Sequence, residues 1–253
     1  VDQDQRSARE QTFHDDAYAK GGRSRVGKYY AIDQAAEARF HGEVLRDCAG
    51  SRVLEYGCGT GSAAFDLAAC GASVTGIDIS PVAIEQAARA AKERGLSARF
   101  LVMDAEHLEF SDGAFDLVCG SGILHHLDIS SALSEIARVL TRDGRAVFLE
   151  PLGHNPLINA YRRRTPHLRT ADEHPLLVGD LELVERFFTS VELRFFDFLT
   201  IGAVPLRRHR GFRRLVATLA LADRGLFRIL PALRKHAWRV VISAEGPRRH
   251  VAP

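Results

Sequence analysis

The stretch "VLEYGCGTGS" (53–62) places Glu55 two residues ahead of Gly57, with Gly59 and Gly61 following at alternate positions, directly after a short apolar run. Glycines at that density let a ligand reach the main chain and the unpaired amides that open the next helix. The dinucleotide fingerprint would need another glycine at 62, where Ser62 stands. A carboxylate ahead of the first glycine also faces a positive ligand better than a pyrophosphate. Two more acids end later apolar runs. Asp78 in "GIDIS" is placed to accept from both hydroxyls of a ribose, and Asp104 in "VMDAEHL" can read an adenine edge together with the amide of Ala105. Four further side chains can take a proton: His125 and His126 past "FDLVCGSGI", Glu150 at the end of "RAVFLE", and His154 just beyond it.

These residues need a frame, and the sequence supplies one. From residue 51 onward, short β-branched runs alternate with Ala-rich helical patterns. The runs at 51–56, 73–78, 98–103, 115–120 and 145–150 read as strands buried on both faces. The helical patterns between them end at Gly71, Gly95 and Gly144, where a helix-terminating glycine is expected, and Ser80–Pro81 is an N-cap followed by proline at the first helical position. Strand and helix alternating so regularly predict right-handed βαβ units and a doubly wound α/β domain with a parallel sheet. Two helices are expected before residue 50, near 11–18 and 33–48. After Glu150 the stretch 151–176 is too irregular for one element. A helix at 178–188, a strand at 190–199, a basic helical segment and a strand at 238–245 complete the chain.

A ligand with a cationic, amino-acid-like end, a ribose and an adenine, but no phosphate, satisfies Glu55, Asp78 and Asp104 together. S-adenosylmethionine is that ligand. Singly, the same residues have plainer readings: Gly57 and Gly59 for helix packing, Asp78 as a helix cap, Asp104 in a surface turn. Their ordered placement at successive strand ends favours the ligand. The motifs "VLEYGCGTGS", "VTGIDIS", "FLVMDAEHL", "FDLVCGSGILHHL" and "LTRDGRAVFLEP", over about residues 51–151, resemble the class I S-adenosylmethionine-dependent methyltransferases. The similarity is to their subgroup with small-molecule and lipid acceptors, which includes ubiquinone-type enzymes. This resemblance implies a seven-stranded Rossmann-like sheet whose last strand, "WRVVISAE", is antiparallel. It implies Glu55, Gly57, Cys58 and Gly59 around the methionine moiety, Asp78 and Ile79 at the ribose, Asp104 and Ala105 at the adenine, and Gly120 and Ser121 through Ile123 beside the sulfonium. Tyr29 of "KYY" stands where relatives close an aromatic over the donor. The implied reaction is methyl transfer to a small, rather apolar acceptor, with O-methylation of a natural product or lipid-like molecule first and S-adenosylhomocysteine as product. N- or C-methylation, or a donor-binding protein with a non-methylating role, are the alternatives. Only one of His125 and His126, adjacent on one turn, is expected to face the acceptor.

The expected organisation is an N-terminal helical cap (1–50) on a methyltransferase domain (51–253), with 151–178 and 203–237 as insertions on the acceptor side. Charge is unevenly spread. The stretch 205–239 carries nine arginines and one lysine against the single acid Asp223, in a chain whose net charge is +2. That segment suits a lid over an apolar substrate, a peripheral contact with anionic lipid, or a clamp for a phosphate or carboxylate. Nucleic acid is not expected, since no aromatic interleaving accompanies the arginines. The polar N-terminal stretch has no apolar signal core and no long apolar run follows, which predicts a cytoplasmic protein. Cys48, Cys58, Cys70 and Cys119 form no paired motif and are expected as buried free thiols. No metal site is expected, because His167 and His174 lack partners at ligand spacing.

Overall fold

Each apolar run beyond residue 51 becomes a strand because its side chains alternate between two helix-covered faces. The computed structural model describes residues 3–19, 31–166, 170 and 173–249. Its seven strands are β1 (Arg52–Tyr56), β2 (Ser73–Asp78), β3 (Ala98–Val102), β4 (Phe115–Ser121), β5 (Leu140–Pro151), β6 (Phe188–Phe196) and β7 (Arg239–Pro247). They lie in the order β3-β2-β1-β4-β5-β7-β6. The first five are parallel, and β7 runs antiparallel between β5 and β6, as the family resemblance implied. Strand order reverses between β1 and β4, which opens a crevice at their carboxyl ends, the usual ligand position in such sheets.

The two-residue period sorts the core into two layers. Val53, Leu117, Val147 and Val241 face α2 (Gln34–Val44) and α3 (Ala64–Ala69). Leu54, Val118, Phe148 and Ile242 face the opposite layer, with α5 (Ile129–Val139) and α7 (Val178–Phe187). On α4 (Pro81–Glu93) the buried positions are Ala83, Ala87 and Ala91, small residues on one stripe that let the helix pack closely. The Ser80 hydroxyl accepts from Ala83 N at 3.1 Å, so the expected cap is present.

Three local expectations need correction. The helix expected to run to Gly144 stops at Val139, because Leu140 already pairs with Phe115 across the sheet; Gly144 is therefore inside β5 and is not a left-handed cap. The irregular stretch after Glu150 contains α6 (Pro156–Arg164), nucleated by Asn155, whose side chain accepts from Leu157 N and Ile158 N ahead of proline at the first helical position. The first helix, α1 (Gln3–Ala19), begins well before residue 11.

The cysteine expectation also changes. Cys48 and Cys70 form a disulfide, while Cys58 and Cys119 are buried free thiols. Pairing β1 with β2 brings the ends of α2 and α3 together, and Gly50 N donates to Gly71 O at 2.9 Å beside the bridge.

Beyond the sheet, the basic segment forms a 3-10 turn (Thr200–Leu206), α8 (Phe212–Ile229) and a second 3-10 turn (Pro231–His236). It has a small core of its own, in which Ile201, Val204, Phe212, Val216 and Trp238 pack with Ile158 of α6 and with Ile32. The segment's single acid has a structural role, since Asp223 is buried and accepts from Phe198 N and Leu199 N. Among the described residues, no helix is long and apolar enough to cross a membrane.

Candidate active site

The turn after β1 is built around a buried carboxylate. Glu55 accepts from Ser62 Oγ and Ala63 N at 2.7 Å each and from Ala64 N at 2.8 Å, tying the strand to the start of α3. Burial pushes its pKa up, and the three donors pull it part of the way back. Between these anchors the chain turns through Gly57 and Gly59 at φ of 65° and 52°, a region costly for any residue with a Cβ. A Cβ on Gly57 would also lie 2.7 Å from Ile123. Asp78 holds the far side of the turn, accepting from Gly59 N at 2.8 Å with one oxygen and from Ser80 N at 2.9 Å with the other.

This turn forms one wall of a cavity of about 590 Å³, open mouth included. Gly57, Asp78, Ile79, Asp104 and Ala105 line it at the ends of β1, β2 and β3, and Ile123, His126 and Leu127 line it beyond β4. The remaining wall is α1, through Arg6, Ser7, Glu10 and His14. Ser7 Oγ donates to Asp104 at 3.1 Å, Arg6 pairs with Glu106, and Ser80 Oγ donates to Asp15. The Tyr18 hydroxyl stands 2.7 Å from where a Cβ on Gly59 would be. The cover over the cavity is therefore α1, and no residue of the basic segment lines it.

Of the residues singled out in the sequence, Gly57, Asp78, Ile79, Asp104, Ala105 and His126 line this one cavity. Others are placed differently. Glu55 and Cys58 lie beneath the turn, Cys58 packed against Gly76 with burial raising its thiol pKa far above the ordinary value. Gly59 is covered by Tyr18. Gly120 is a packing position, where a Cβ would fall 2.7 Å from Tyr56 O, and neither it nor Ser121 lines the cavity. Tyr29 lies outside the described residues.

The four proton-accepting candidates separate in the same way. Only His126 faces the cavity. His125 Nδ1 lies 2.8 Å from Glu150 Oε2, and the other Glu150 oxygen accepts from Ile123 N and Leu124 N at 2.9 Å. Glu150 is fully buried and its pKa is raised by burial, against the pull of those two amides; it organises the turn that carries both histidines. His154 is remote from the cavity. Its Nε2 accepts from Val178 N at 3.3 Å, at the start of α7, so its ring serves a helix end.

Sequence reasoning missed the contribution of α1. Ser7, Glu10 and His14 stand at i, i+3 and i+7, a spacing that puts polar side chains on one helix face, and this was the available signal. It also gave Tyr56 no role. Tyr56 is fully buried and its hydroxyl donates to Ala105 O, holding the loop that lines the cavity beyond β3.

Chemically, the cavity is acidic. Glu10, Asp78, Asp104 and Glu106 line it, an arrangement suited to a cationic ligand carrying hydroxyl or amino donors. For Glu10, burial acts to raise the pKa, but the close approach of His126 and His14 outweighs it and holds the carboxyl well below the ordinary range.

The chain resembles known proteins over its central segment. A family profile described as a methyltransferase domain matches residues 53–144. The demethylmenaquinone methyltransferase of Thermus thermophilus is 45% identical over 102 residues, covering 39% of this chain and 46% of that one. The aklanonic acid methyltransferase DauC of Streptomyces sp. strain C5 is 40% identical over 115 residues, covering 44% and 52%. The chain thus spans about half the length of the curated relatives it matches. Among solved structures, phosphoethanolamine N-methyltransferase 2 of Haemonchus contortus, in complex with phosphomonomethylethanolamine and S-adenosylhomocysteine, superposes with a TM-score of 0.59 at 20% identity, over 79% of this chain and 49% of that one. Residues 53–144 thus match a methyltransferase domain, and the surrounding fold is the one seen in the solved methyltransferase that superposes on it.

Proposed function

We propose that the protein transfers the methyl group of S-adenosylmethionine to a small, rather apolar acceptor, with an oxygen as the methylated atom. One observation carries the proposal: the left-handed Gly57 turn, Asp78 and the Asp104–Ala105 loop, from three successive strand ends, line a single acidic cavity. In this reading Asp78 accepts from the ribose hydroxyls, Asp104 and Ala105 meet the adenine, and the sulfonium lies toward Ile123. The transfer is an in-line displacement, so its rate depends on holding the acceptor atom about 3 Å from the methyl carbon with water excluded. Helix α1 supplies that exclusion. A hydroxyl acceptor must also lose its proton, and the Glu10–His126 corner of the cavity is where we place that step.

The acceptor side is assigned to 151–178 and 203–237, which support each other through the core joining Ile158 to Val204, Phe212 and Trp238. Apolar acceptors accord with the names of the demethylmenaquinone and aklanonic acid relatives. Leu206, Leu221, Ile229 and Leu230 are exposed among exposed arginines, which supports contact with an anionic lipid surface that would supply such an acceptor. Co-sedimentation with anionic vesicles, abolished by salt, is the expected result; no binding at low salt refutes that contact.

The main test is transfer of an isotopically labelled methyl group from S-adenosylmethionine into fractionated host extract. Label is expected in the organic fraction, and a labelled methyl found on carbon or nitrogen by the NMR shift of the product would overturn the oxygen assignment. Asp78→Ala removes charge-assisted bonds worth about 3 kcal/mol, so donor affinity should fall on the order of 100-fold in calorimetry. Label in protein or nucleic acid would refute the acceptor class, and absence of donor binding would refute the reading as a whole.

A further inference from the structure

The cavity contains a group of side chains that donor binding does not explain. Glu10 and His14 occupy i and i+4 on α1, and His126 meets them from the turn after β4. Glu10 Oε2 lies 3.1 Å from His126 Nδ1 and 3.4 Å from His14 Nε2, and one ligand atom from each residue falls within 4.8 Å of the others. Glu10 and His126 are each only 5% exposed. Yet neither carboxylate oxygen of Glu10 and neither ring nitrogen of His126 makes a well-directed hydrogen bond. They approach one another without good hydrogen-bond geometry, and buried polar atoms in that state are costly unless something else satisfies them.

We propose that Glu10, His14 and His126 bind one divalent transition-metal ion, of the zinc type, with an open coordination position facing the cavity. Ligand atoms about 2.0–2.2 Å from a tetrahedral zinc lie about 3.3 Å from one another, which matches the two spacings from Glu10 to the imidazoles, and the third pair lies within 4.8 Å. One carboxylate and two imidazoles form a familiar three-ligand set for a site that keeps its fourth position for water or substrate. Charge is consistent as well. Glu10 supplies one negative charge, the imidazoles coordinate in neutral form, and Asp78, Asp104 and Glu106 line the same cavity. Arg6, the base of α1 that lines the cavity, is engaged by Glu106.

A second group, His125, His126 and Glu173, shares His126 but is already committed elsewhere. His125 Nδ1 is held by Glu150, and Glu173 pairs with Arg162 at 2.9 Å. In the first group the ligand atoms face one another, with the Thr170 hydroxyl also beside Glu10. Two of its ligands belong to α1 and one to the body of the domain, so the ion would pin the covering helix over the cavity. The inference deepens the methyl-transfer reading in one respect, and for that role it rests on it: a metal on His126 occupies the lone pair a general base would use, so an acceptor hydroxyl binding at the open position would instead give up its proton to solvent as it coordinates. Metal binding itself does not depend on that reading. The expectation of no metal rested on the spacing of His174 and of His167, which lies outside the described residues, and that spacing says nothing about ligands contributed by α1.

The experiment is metal analysis of the purified full chain after equilibration with Zn²⁺ and dialysis, without donor or acceptor. One equivalent is expected in the wild type and in His41→Ala, whose exposed ring lies outside the group. Glu10→Gln and His14→Ala should bind at least about 100-fold more weakly, since even outer-shell changes cost 10–100-fold. Co²⁺ substitution adds a spectroscopic readout: intense visible bands of a low-coordinate site should appear in the wild type and vanish in Glu10→Gln, whose melting curve checks its fold. No retained metal in the wild type, or affinity unchanged in both variants, overturns the proposal. Failure of methyl transfer with metal retained would count against the function proposed above and leave the metal site standing.

Discussion

Glu55→Gln distinguishes a carboxylate that builds the donor turn from one that touches the donor. All three neighbours of Glu55 are donors: Ser62 Oγ and Ala63 N at 2.7 Å on one oxygen, and Ala64 N at 2.8 Å on the other. Glutamine can keep its oxygen toward the first two, but its NH₂ group then faces the Ala64 amide, donor against donor. The loss is one charge-assisted hydrogen bond, worth about 1.5–3 kcal/mol, together with a buried N–H left without a partner. Burying a neutral amide in place of an anion gives some of this back, because burial disfavours the Glu55 charge. The net expectation is a loss of about 2–3 kcal/mol, or a fall in melting temperature of roughly 4–12 °C for a domain of this size. The assay is thermal unfolding by circular dichroism without ligand, paired with calorimetry for S-adenosylmethionine. If Glu55 acts through the turn, the ligand-free protein loses stability and donor affinity weakens as a consequence. An unchanged melting temperature with collapsed donor affinity would refute the reasoning and make Glu55 a direct ligand contact.

Tyr56→Phe removes the hydroxyl that donates to Ala105 O in a fully buried site, and should cost about 1–3 kcal/mol in thermal or urea unfolding. No loss would mean that this bond does not hold the loop. Asp33 and Asp197 are buried together beside Arg239, which lies 3.1 Å from Asp33; burial, opposed by Arg239, raises Asp33 to about 6 and Asp197 well above the usual carboxylate value. The native state therefore keeps a proton that the unfolded chain has already released, so this pair's contribution is full below about pH 4 and declines as pH rises past about 6. Asp197→Asn supplies a donor without a titrating proton, at a φ of 63° that asparagine tolerates well. It should flatten the fall in melting temperature between mildly acidic and alkaline buffers, and parallel curves for the two proteins would refute the shared proton. Alkylation in denaturant without reductant should label Cys58 and Cys119 alone, and Cys48→Ser should cost roughly 3 kcal/mol for the loop closed across 22 residues. Labelling of all four cysteines before reduction would exclude the bridge.

Much of the fold was legible because its signals are local. Val53 and Leu54, or Val147 and Phe148, announce a strand buried on both faces through neighbouring residues alone, and Ser80–Pro81 announces a helix start in two. Gly71 and Gly95 end their helices in the left-handed conformation, as a terminal glycine should. Gly144 misled because its surroundings resemble a helix end, whereas the pairing of Leu140 with Phe115, far along the chain, decides that β5 has begun. The cavity was legible in part for the same reason: Gly57, Asp78 and Asp104 each follow a strand, so fold class alone brings them to one edge of the sheet.

The sequence by itself thus determined the doubly wound sheet, the glycines and acids at its strand ends, and the concentration of arginine before the last strand. Each depends on residue type and short-range periodicity, which the backbone converts directly into faces and turns. Tertiary structure alone decided that α1 covers the cavity, that Glu10 and His14 meet His126, that His126 faces inward while His125 turns to Glu150, and that Cys48 joins Cys70. These contacts join segments whose mutual distance in sequence carries no information about their separation in space. They are selected when the whole chain packs, because each helix has several faces it could bury and only the closed fold determines which partner is within reach.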